Sequence, residues 1–159
     1  MASDRLPITV FGKAKLEEEL KRLVQIERPN VIKAIEEARA HGDISENADY
    51  DAAKDRQAMI EGRIADIQGK LANAEVVDIT RLQSSKIIFG ATVELQDLES
   101  DEKVKYQIVG EDESDVKQGK VSVFSPIARS LIGKKKGDII EFKSPKGERE
   151  FEVLNFFFT

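Results

Sequence analysis

Two carboxylates between residues 40 and 50 are the strongest candidates for chemistry in this chain. Asp43 and Glu46 stand three positions apart, and this spacing at the start of a helix places two side chains on one face. Carboxylate oxygens suit Mg²⁺, but this ion requires octahedral coordination, and one or two carboxylates leave most of its positions to other groups. The pair therefore predicts half of a metal site, with the other half supplied by a partner.

The remaining reactive residue types in the chain offer little. Asp49 and Asp51 have a structural explanation, because negative charge near a helix N-terminus is stabilising by about 0.3–1 kcal/mol. The sequence has no Cys and a single His, His41, which excludes zinc–thiolate sites and cysteine nucleophiles and leaves one candidate for a histidine dyad. It also lacks the GxGxxG, GxxxxGK and GxSxG motifs of nucleotide-binding and hydrolase sites.

The composition limits the possible functions further. The chain has 159 residues, with 25 basic and 30 acidic side chains and a net charge of −5. This charge argues against a protein that coats duplex nucleic acid by phosphate neutralisation alone. No apolar run approaches the ~20 residues that span a bilayer, and the first residues lack the long apolar core of a secretory signal. We therefore expect a cytoplasmic protein with no membrane partner.

Two amphipathic segments must position the acidic pair. In residues 13–40, apolar side chains recur at steps of three and four, and Pro29 interrupts the pattern, which predicts a helix with a kink or short break. Residues 49–75 carry a heptad seam, a pattern typical of paired helices. Its members are Ala53, Gln57, Ile60, Ile64, Ile67, Leu71 and Ala74.

The short segment between these helices contains turn and capping residues. Gly42 can end the first helix, and Ser45 or Asn47 can cap the second. A short connection between two amphipathic helices predicts an antiparallel hairpin with the acidic pair at its tip. A long hairpin that dimerises is the alternative.

The second half of the chain has the pattern of short strands separated by Gly, Ser and Asp. Strands are predicted at residues 87–95, 103–109, 121–124, 138–142 and 148–158. Ser125 and Pro126 predict the start of a short helix over residues 127–131. We therefore predict an α+β fold, with an antiparallel coiled-coil hairpin over residues 1–78 and an antiparallel β domain with a short helix over residues 79–159.

Two charged runs in this second half have ordinary explanations. Four carboxylates lie within residues 111–115, in a predicted strand connection, and three lysines occupy residues 134–136. Such runs are usually solvated loops and plain surface. We expect neither to carry chemistry.

Residues 37–50, EARAHGDISENADY, closely resemble the tip of the bacterial Gre transcript cleavage factors. Arg28-Pro29 and the segments 88–93 and 125–134 are similar to the same family, and the likeness is greater to its GreA-type than to its GreB-type members. The resemblance implies a coiled-coil domain followed by an FK506-binding-protein-like domain. It also implies a factor that inserts its coiled coil into the secondary channel of bacterial RNA polymerase. There it would stimulate the polymerase's own cleavage of backtracked RNA, rescue arrested complexes and have no nuclease activity alone.

The resemblance also assigns roles to the acidic pair. Asp43 and Glu46 match the residues that help hold the second Mg²⁺ of the polymerase and its attacking water. This agrees with the half-site inferred above, because two-metal phosphodiester hydrolysis uses one ion to activate water and another to stabilise the leaving oxygen. We expect Mg²⁺ to be held jointly with the polymerase and not tightly by this protein alone.

Other contacts follow from the same resemblance. Lys54 and Arg56 are the candidates for contact with the extruded RNA 3′ end, although ordinary helix surface charge explains them equally well. Ser125 and Pro126 match the segment that docks on the polymerase rim. Phe124 departs from the small polar residue expected beside them, which affects the detail of docking. We expect the free protein to be a monomer.

Two alternatives use the same shape. Some Gre-shaped proteins are channel-binding inhibitors of transcription, usually with an altered tip, and the intact Asp43 and Glu46 argue against that function. The implied FK506-binding-protein-like domain also suggests a second alternative, prolyl isomerase activity. The sequence indicates no aromatic-lined pocket and contains no Trp, so this second alternative rests on analogy of fold alone.

Overall fold

The structure of the protein is a computed structural model, and it describes residues 5–42, 47–144 and 147–159. It divides into two compact units. The helical unit is Lys13–Asn73, and the sheet unit joins the residues up to Gly12 to Ala74–Thr159. The sheet unit thus includes residues from both ends of the segment expected to form the hairpin. The reason is a short parallel pairing of β1 (Leu6–Thr9) with β2 (Ala74–Val77).

Three helices provide the hairpin: α1 (Val10–Arg22), α2 (Arg28–Ala40) and α3 (Ala48–Ala72). A π-helical turn, Leu23–Glu27, joins α1 to α2. Pro29 follows this turn directly, and it has no amide hydrogen to donate to the carbonyl of Gln25, four residues earlier. The amide of Arg28 bonds to the carbonyl of Leu23, five residues earlier, where a regular α-helix would use Val24, four residues earlier. The predicted interruption is confirmed, and its form is a widened turn within a continuous helical path.

The hairpin is antiparallel, as its cross-links show. On the first arm, α1 and α2, the bonded residues run backwards from Ala38 to Glu27 to Glu19. On the second arm, α3 and its cap, their partners run forwards from Asn47 to Arg56 to Arg63. The core between the arms consists of the buried side chains of Leu16, Leu23, Val31, Ile35, Ala38, Ile60, Ile64 and Ile67.

The predicted seam on α3 is only partly correct. Its three isoleucines are buried, whereas Ala53, Gln57 and Leu71 are half-buried. Ala74 does not belong to the helix at all. The helix ends at Ala72, and Ala74 opens β2 opposite Leu6.

The sheet unit contains a five-stranded sheet with the strand order β5-β4-β3-β7-β6. The strands are β3 (Thr92–Asp97), β4 (Lys103–Val109), β5 (Lys120–Ser122), β6 (Ile139–Ser144) and β7 (Gly147–Phe157). The sheet is mixed where an antiparallel one was predicted, because β5 runs parallel to β4. Parallel neighbours require a crossover connection, and two 3₁₀ turns, Glu111–Glu113 and Val116–Gln118, form it.

One predicted strand begins later than expected. The apolar residues 87–89 are not in a strand, and β3 starts only at Thr92. Gly90 has φ +91°, and a Cβ there would lie 2.5 Å from the side chain of Ile79, so the chain turns at this glycine. Ile87 is nevertheless fully buried, and its backbone bonds to Lys134 and Gly133. The apolar run therefore packs in the core without belonging to the sheet.

The short helix predicted over residues 127–131 is present as α4 (Pro126–Leu131), which starts one residue earlier, and it buries Ile127, Ala128 and Leu131. They join a core that also contains Val93, Leu95, Ile108, Val121, Ile140, Phe151 and Val153. Across the described ranges, no helix is long and apolar enough to cross a bilayer.

Candidate functional site at the hairpin tip

The acidic pair itself, Asp43 and Glu46, lies outside the described residues, and so does the capping candidate Ser45. The chain on both sides is described. α2 ends at Ala40 and is followed by His41 and Gly42, and the second arm resumes at Asn47. The contacts that the structure describes lie between these two flanks, on either side of the acidic segment in the sequence.

Asn47 is the cap of α3. Its Oδ1 accepts a hydrogen bond from the backbone N–H of Tyr50 at 3.0 Å, which satisfies one of the unpaired donors of the first turn. Its Nδ2 donates to the backbone carbonyl oxygen of Ala38, 2.6 Å away, in the last turn of α2. The same carbonyl accepts the N–H of His41 at 3.3 Å. One side chain therefore connects the last turn of α2 to the start of α3.

A second contact joins the arms beside Asn47. The guanidinium carbon of Arg39 lies 5.9 Å from the centroid of the Tyr50 ring, a cation–π distance. The sequence analysis did not single out either residue. In the sequence, Arg39 and Tyr50 lie at similar distances on each side of the acidic pair. This spacing predicts a contact only when the pairing of the two arms is known. Asp49 and Asp51 lie exposed in the first turn of α3, in keeping with interaction with the helix dipole.

The two basic residues predicted to contact RNA point to different partners. Lys54 donates to Oε1 of Gln57 on its own helix at 3.1 Å. Arg56 donates to Oε2 of Glu27 on the first arm at 2.7 Å, and its side chain remains 56% exposed. Residues two apart on a helix do not share a face. Their contact with RNA stays a prediction.

Further ion pairs hold the two arms together. Arg63 makes two hydrogen bonds to Glu19, each of 2.8 Å, and this donation lowers the pKa of the Glu19 carboxyl. Arg28 forms a similar two-bond pair with Glu61, at 2.9 and 2.7 Å, which lowers the pKa of Glu61 and raises that of Arg28. Such bidentate pairs fix the orientation of both side chains. These residues are therefore engaged in the hairpin itself.

The predicted docking residues lie at the start of α4. Oγ of Ser125 accepts the N–H of Ala128 at 3.3 Å and donates to the carbonyl of Ser122 at 2.6 Å, and Pro126 is the first residue of the helix. The predicted cap is therefore confirmed. Phe124, beside it, is 42% exposed.

Ser125 and Pro126 also line a largely apolar cleft of about 350 Å³. Two aromatic side chains from distant strands, Tyr106 and Phe142, are part of its wall, together with the highly exposed Val116. The expectation of no aromatic-lined pocket is therefore wrong. Local sequence could not reveal the cleft, because its aromatic residues come together only when β4 and β6 enter one sheet.

The acidic connection between β4 and β5 has a structural role that the sequence analysis missed. The carboxylate of Glu113 accepts hydrogen bonds from the N–H of Thr9 at 3.1 Å, from the hydroxyl of Thr9, and from the N–H of Gly110 at 2.9 Å. No group of three or more His, Cys, Asp or Glu suited to a metal occurs in the part of the chain that the structure describes, which omits the acidic pair.

Comparison with known proteins finds relatives over nearly the whole chain. Two family models match: the N-terminal domain of transcription elongation factors GreA and GreB at residues 6–76, and their C-terminal domain at residues 82–156. Transcription elongation factor GreA of Methylococcus capsulatus is 54% identical over 96% of this chain and 97% of its own. That of Verminephrobacter eiseniae is 57% identical over 94% and 95%. The crystal structure of Gfh1, a GreA factor homolog of Thermus thermophilus, is 28% identical over 96% and 98%, with a TM-score of 0.45. The chain therefore belongs to the GreA/GreB family of transcription elongation factors.

Proposed function

We propose that this protein is a transcription elongation factor that acts on RNA polymerase. Its helical hairpin enters the secondary channel and stimulates the polymerase's cleavage of backtracked RNA. The observation that carries this proposal is the family membership together with the position of the acidic segment. Asp43 and Glu46 lie between Ala38 and Asn47, which contact each other at one end of the hairpin. A slender pair of helices can bring two charges into a space too narrow for a globular domain.

The chemistry of the acidic pair fits a shared Mg²⁺ site. Carboxylate oxygens are the donors that Mg²⁺ prefers, and two of them leave most of an octahedral shell to ligands from the polymerase. When bound, such an ion would supply a water of lowered pKa as the nucleophile for the phosphodiester. Asp43 and Glu46 contribute charge and orientation to a site that is incomplete without its partner. We therefore propose that the protein alone has no nuclease activity.

The sheet unit provides the proposed docking surface for the polymerase rim. Ser125 and Pro126 stand at the edge of the apolar cleft, where an apolar side chain of the partner can be buried. Phe124 extends the apolar surface beside them.

On the hairpin, Lys54 and Arg56 are proposed to face the RNA. Arg56 would then exchange or share its bond to Glu27 when a phosphate approaches.

The test is RNA cleavage in a stalled, backtracked polymerase complex with Mg²⁺. We expect Asp43→Asn and Glu46→Gln to retain polymerase binding and to lose most of the cleavage, because each removes a charged ligand with little change of shape. Met59→Ala, at a position of α3 that is 75% exposed, is the control and should leave cleavage unchanged. Wild-type cleavage by both acidic variants would contradict the shared metal site, and so would RNA cutting by the purified protein without polymerase.

An inhibitor that binds the same channel is the less favoured function. The acidic pair is intact in this sequence, and relatives that are more than half identical bear the name of the elongation factor. The cleavage assay separates the two functions directly, since an inhibitor slows RNA synthesis without producing shortened RNA.

A further inference from the structure

The side chain of Asn47 performs two tasks with its two polar atoms. The oxygen accepts the N–H of Tyr50 within its own helix at 3.0 Å, and the nitrogen donates across the hairpin to Ala38 at 2.6 Å. The backbone at Asn47 is extended, with φ −91° and ψ 99°, as a helix cap requires. The cross-hairpin bond is therefore made by the residue at which α3 begins.

Only a carboxamide of this length serves both tasks. Asp, Ser and Thr also cap helices, because each has an acceptor oxygen. A carboxylate has no hydrogen to donate, and it would place a second oxygen against the carbonyl of Ala38. A hydroxyl can donate, but its side chain is one atom shorter. The sequence thus has Asn where capping alone would accept several residues.

The acceptor on the other arm is itself well fixed. Ala38 is only 3% exposed and packs in the hairpin core, and its carbonyl also holds the N–H of His41. The contact between Arg39 and Tyr50 braces the same level of the hairpin. The bond from Asn47 therefore anchors the start of α3 to a buried point and not to a mobile surface group.

We propose that Asn47 is a positioning residue for the acidic pair, an inference that rests on the proposed function. Glu46 is its covalent neighbour, and Asp43 follows Gly42 directly. By bonding the start of α3 to Ala38, Asn47 fixes the separation of the two flanks between which the acidic pair lies in the sequence. Catalytic groups held near the productive geometry react faster than groups that must find it, because the ordering has already occurred.

Two substitutions separate the cross-hairpin bond from the helix cap. Asn47→Asp keeps the shape and the cap but loses the donor, and Asn47→Ser keeps a cap without adding charge. We expect both to lower the cleavage rate at saturating factor by about three- to tenfold, the effect of one lost hydrogen bond. Affinity for the polymerase should stay within about twofold of wild type, and the Mg²⁺ concentration for half-maximal cleavage should rise, because one lost bond weakens ligand placement and not docking.

Controls and parallel variants make the outcome decisive. Circular dichroism should show wild-type helix content, and if Asn47→Asp fails this check, Asn47→Ser decides. Asn30→Asp adds the same charge at an exposed position of α2 and should leave cleavage unchanged. If Asp43→Asn loses cleavage while both Asn47 variants keep wild-type rate and Mg²⁺ dependence, the positioning role is refuted and the proposed function stands.

Two other results would also overturn the inference. Loss of polymerase affinity in proportion to cleavage would assign Asn47 to docking. Wild-type cleavage by Asp43→Asn and Glu46→Gln would refute the proposed function, and the positioning role with it.

Discussion

Replacing Glu113 with alanine should destabilise the sheet unit, because its carboxylate is the shared acceptor for three donors. Two belong to Thr9 at the end of β1, and the third is the N–H of Gly110 after β4. Thr9 is only 2% exposed, and Gly110 is also buried, so water cannot fully replace the lost acceptor. The substitution therefore leaves buried donors without a partner.

The expected size follows from these contacts. A buried donor without a partner costs about 1–3 kcal/mol, and Glu113 is half-buried, so partial hydration reduces the total. We expect Glu113→Ala to lower the free energy of unfolding by about 2–4 kcal/mol. Glu113→Gln retains one acceptor oxygen and should have an intermediate effect. Glu111→Ala, at an exposed neighbouring position, is the control and should be close to neutral.

Gly12 supplies an independent check on the same contact. A Cβ at Gly12 would lie 2.2 Å from Cδ of Glu113, so Gly12→Ala must push the carboxylate away from its donors. In the Glu113→Ala background the obstacle is gone, and Gly12→Ala should have little effect. We therefore expect a strongly non-additive double-mutant cycle with a coupling of about 1–3 kcal/mol.

Urea denaturation followed by circular dichroism measures the stabilities, and amide hydrogen exchange reports on Thr9 and Gly110 individually. Both amides should exchange faster in Glu113→Ala than in wild type. Additive effects of the two substitutions, or a Glu113→Ala variant within about 0.5 kcal/mol of wild type, would refute the role of this carboxylate.

Three further predictions concern the core, the pH response and a helix cap. Ile67→Ala, at a fully buried position of α3, should destabilise the hairpin by about 2–5 kcal/mol in urea denaturation, whereas Met59→Ala, 75% exposed on the same helix, should be nearly neutral. The backbone N–H of Glu99 donates to the carboxylate of Asp97 and lowers the pKa of Asp97 in the folded protein. The ionised carboxylate therefore stabilises the fold fully above the unfolded pKa of about 3.9. This stabilisation is lost as the pH falls through the lower pKa of the folded state. Asp97→Asn should therefore flatten the acid limb of thermal stability, and an unchanged limb would contradict this. Ser125→Ala should lower the unfolding free energy by about 0.5–2 kcal/mol, with no loss if the cap is unimportant.

The helical part of the fold was largely predictable because its signals are local. Apolar side chains at helical spacing marked both arms, and Pro29 marked the interruption, since a missing amide hydrogen acts within one turn. The cap at Ser125 was predictable for the same reason. The choice between Ser45 and Asn47 at the tip was not, because the donor role of Asn47 depends on a carbonyl of the opposite arm.

The sheet unit was less predictable because its interactions are between distant residues. The apolar run 87–89 has the composition of a strand, yet its backbone partners lie near residues 133–134 and not in the sheet. Glu113 looked like a solvated loop residue, because its three donors belong to Thr9 and Gly110 and the first of these is more than a hundred residues away. Tyr106 and Phe142 form one cleft only through sheet topology.

The π-helical turn explains an irregular repeat along the first arm. The buried positions Leu16 and Leu23 are seven residues apart, but the next buried position, Val31, comes after eight. In a regular α-helix, each additional residue rotates the following side chains by about 100°. The widened turn takes up this residue and keeps Val31 and Ile35 facing α3, so the arm tolerates a one-residue insertion. A homologue one residue shorter between Leu23 and Val31 would therefore need no widened turn to keep its buried side chains facing α3.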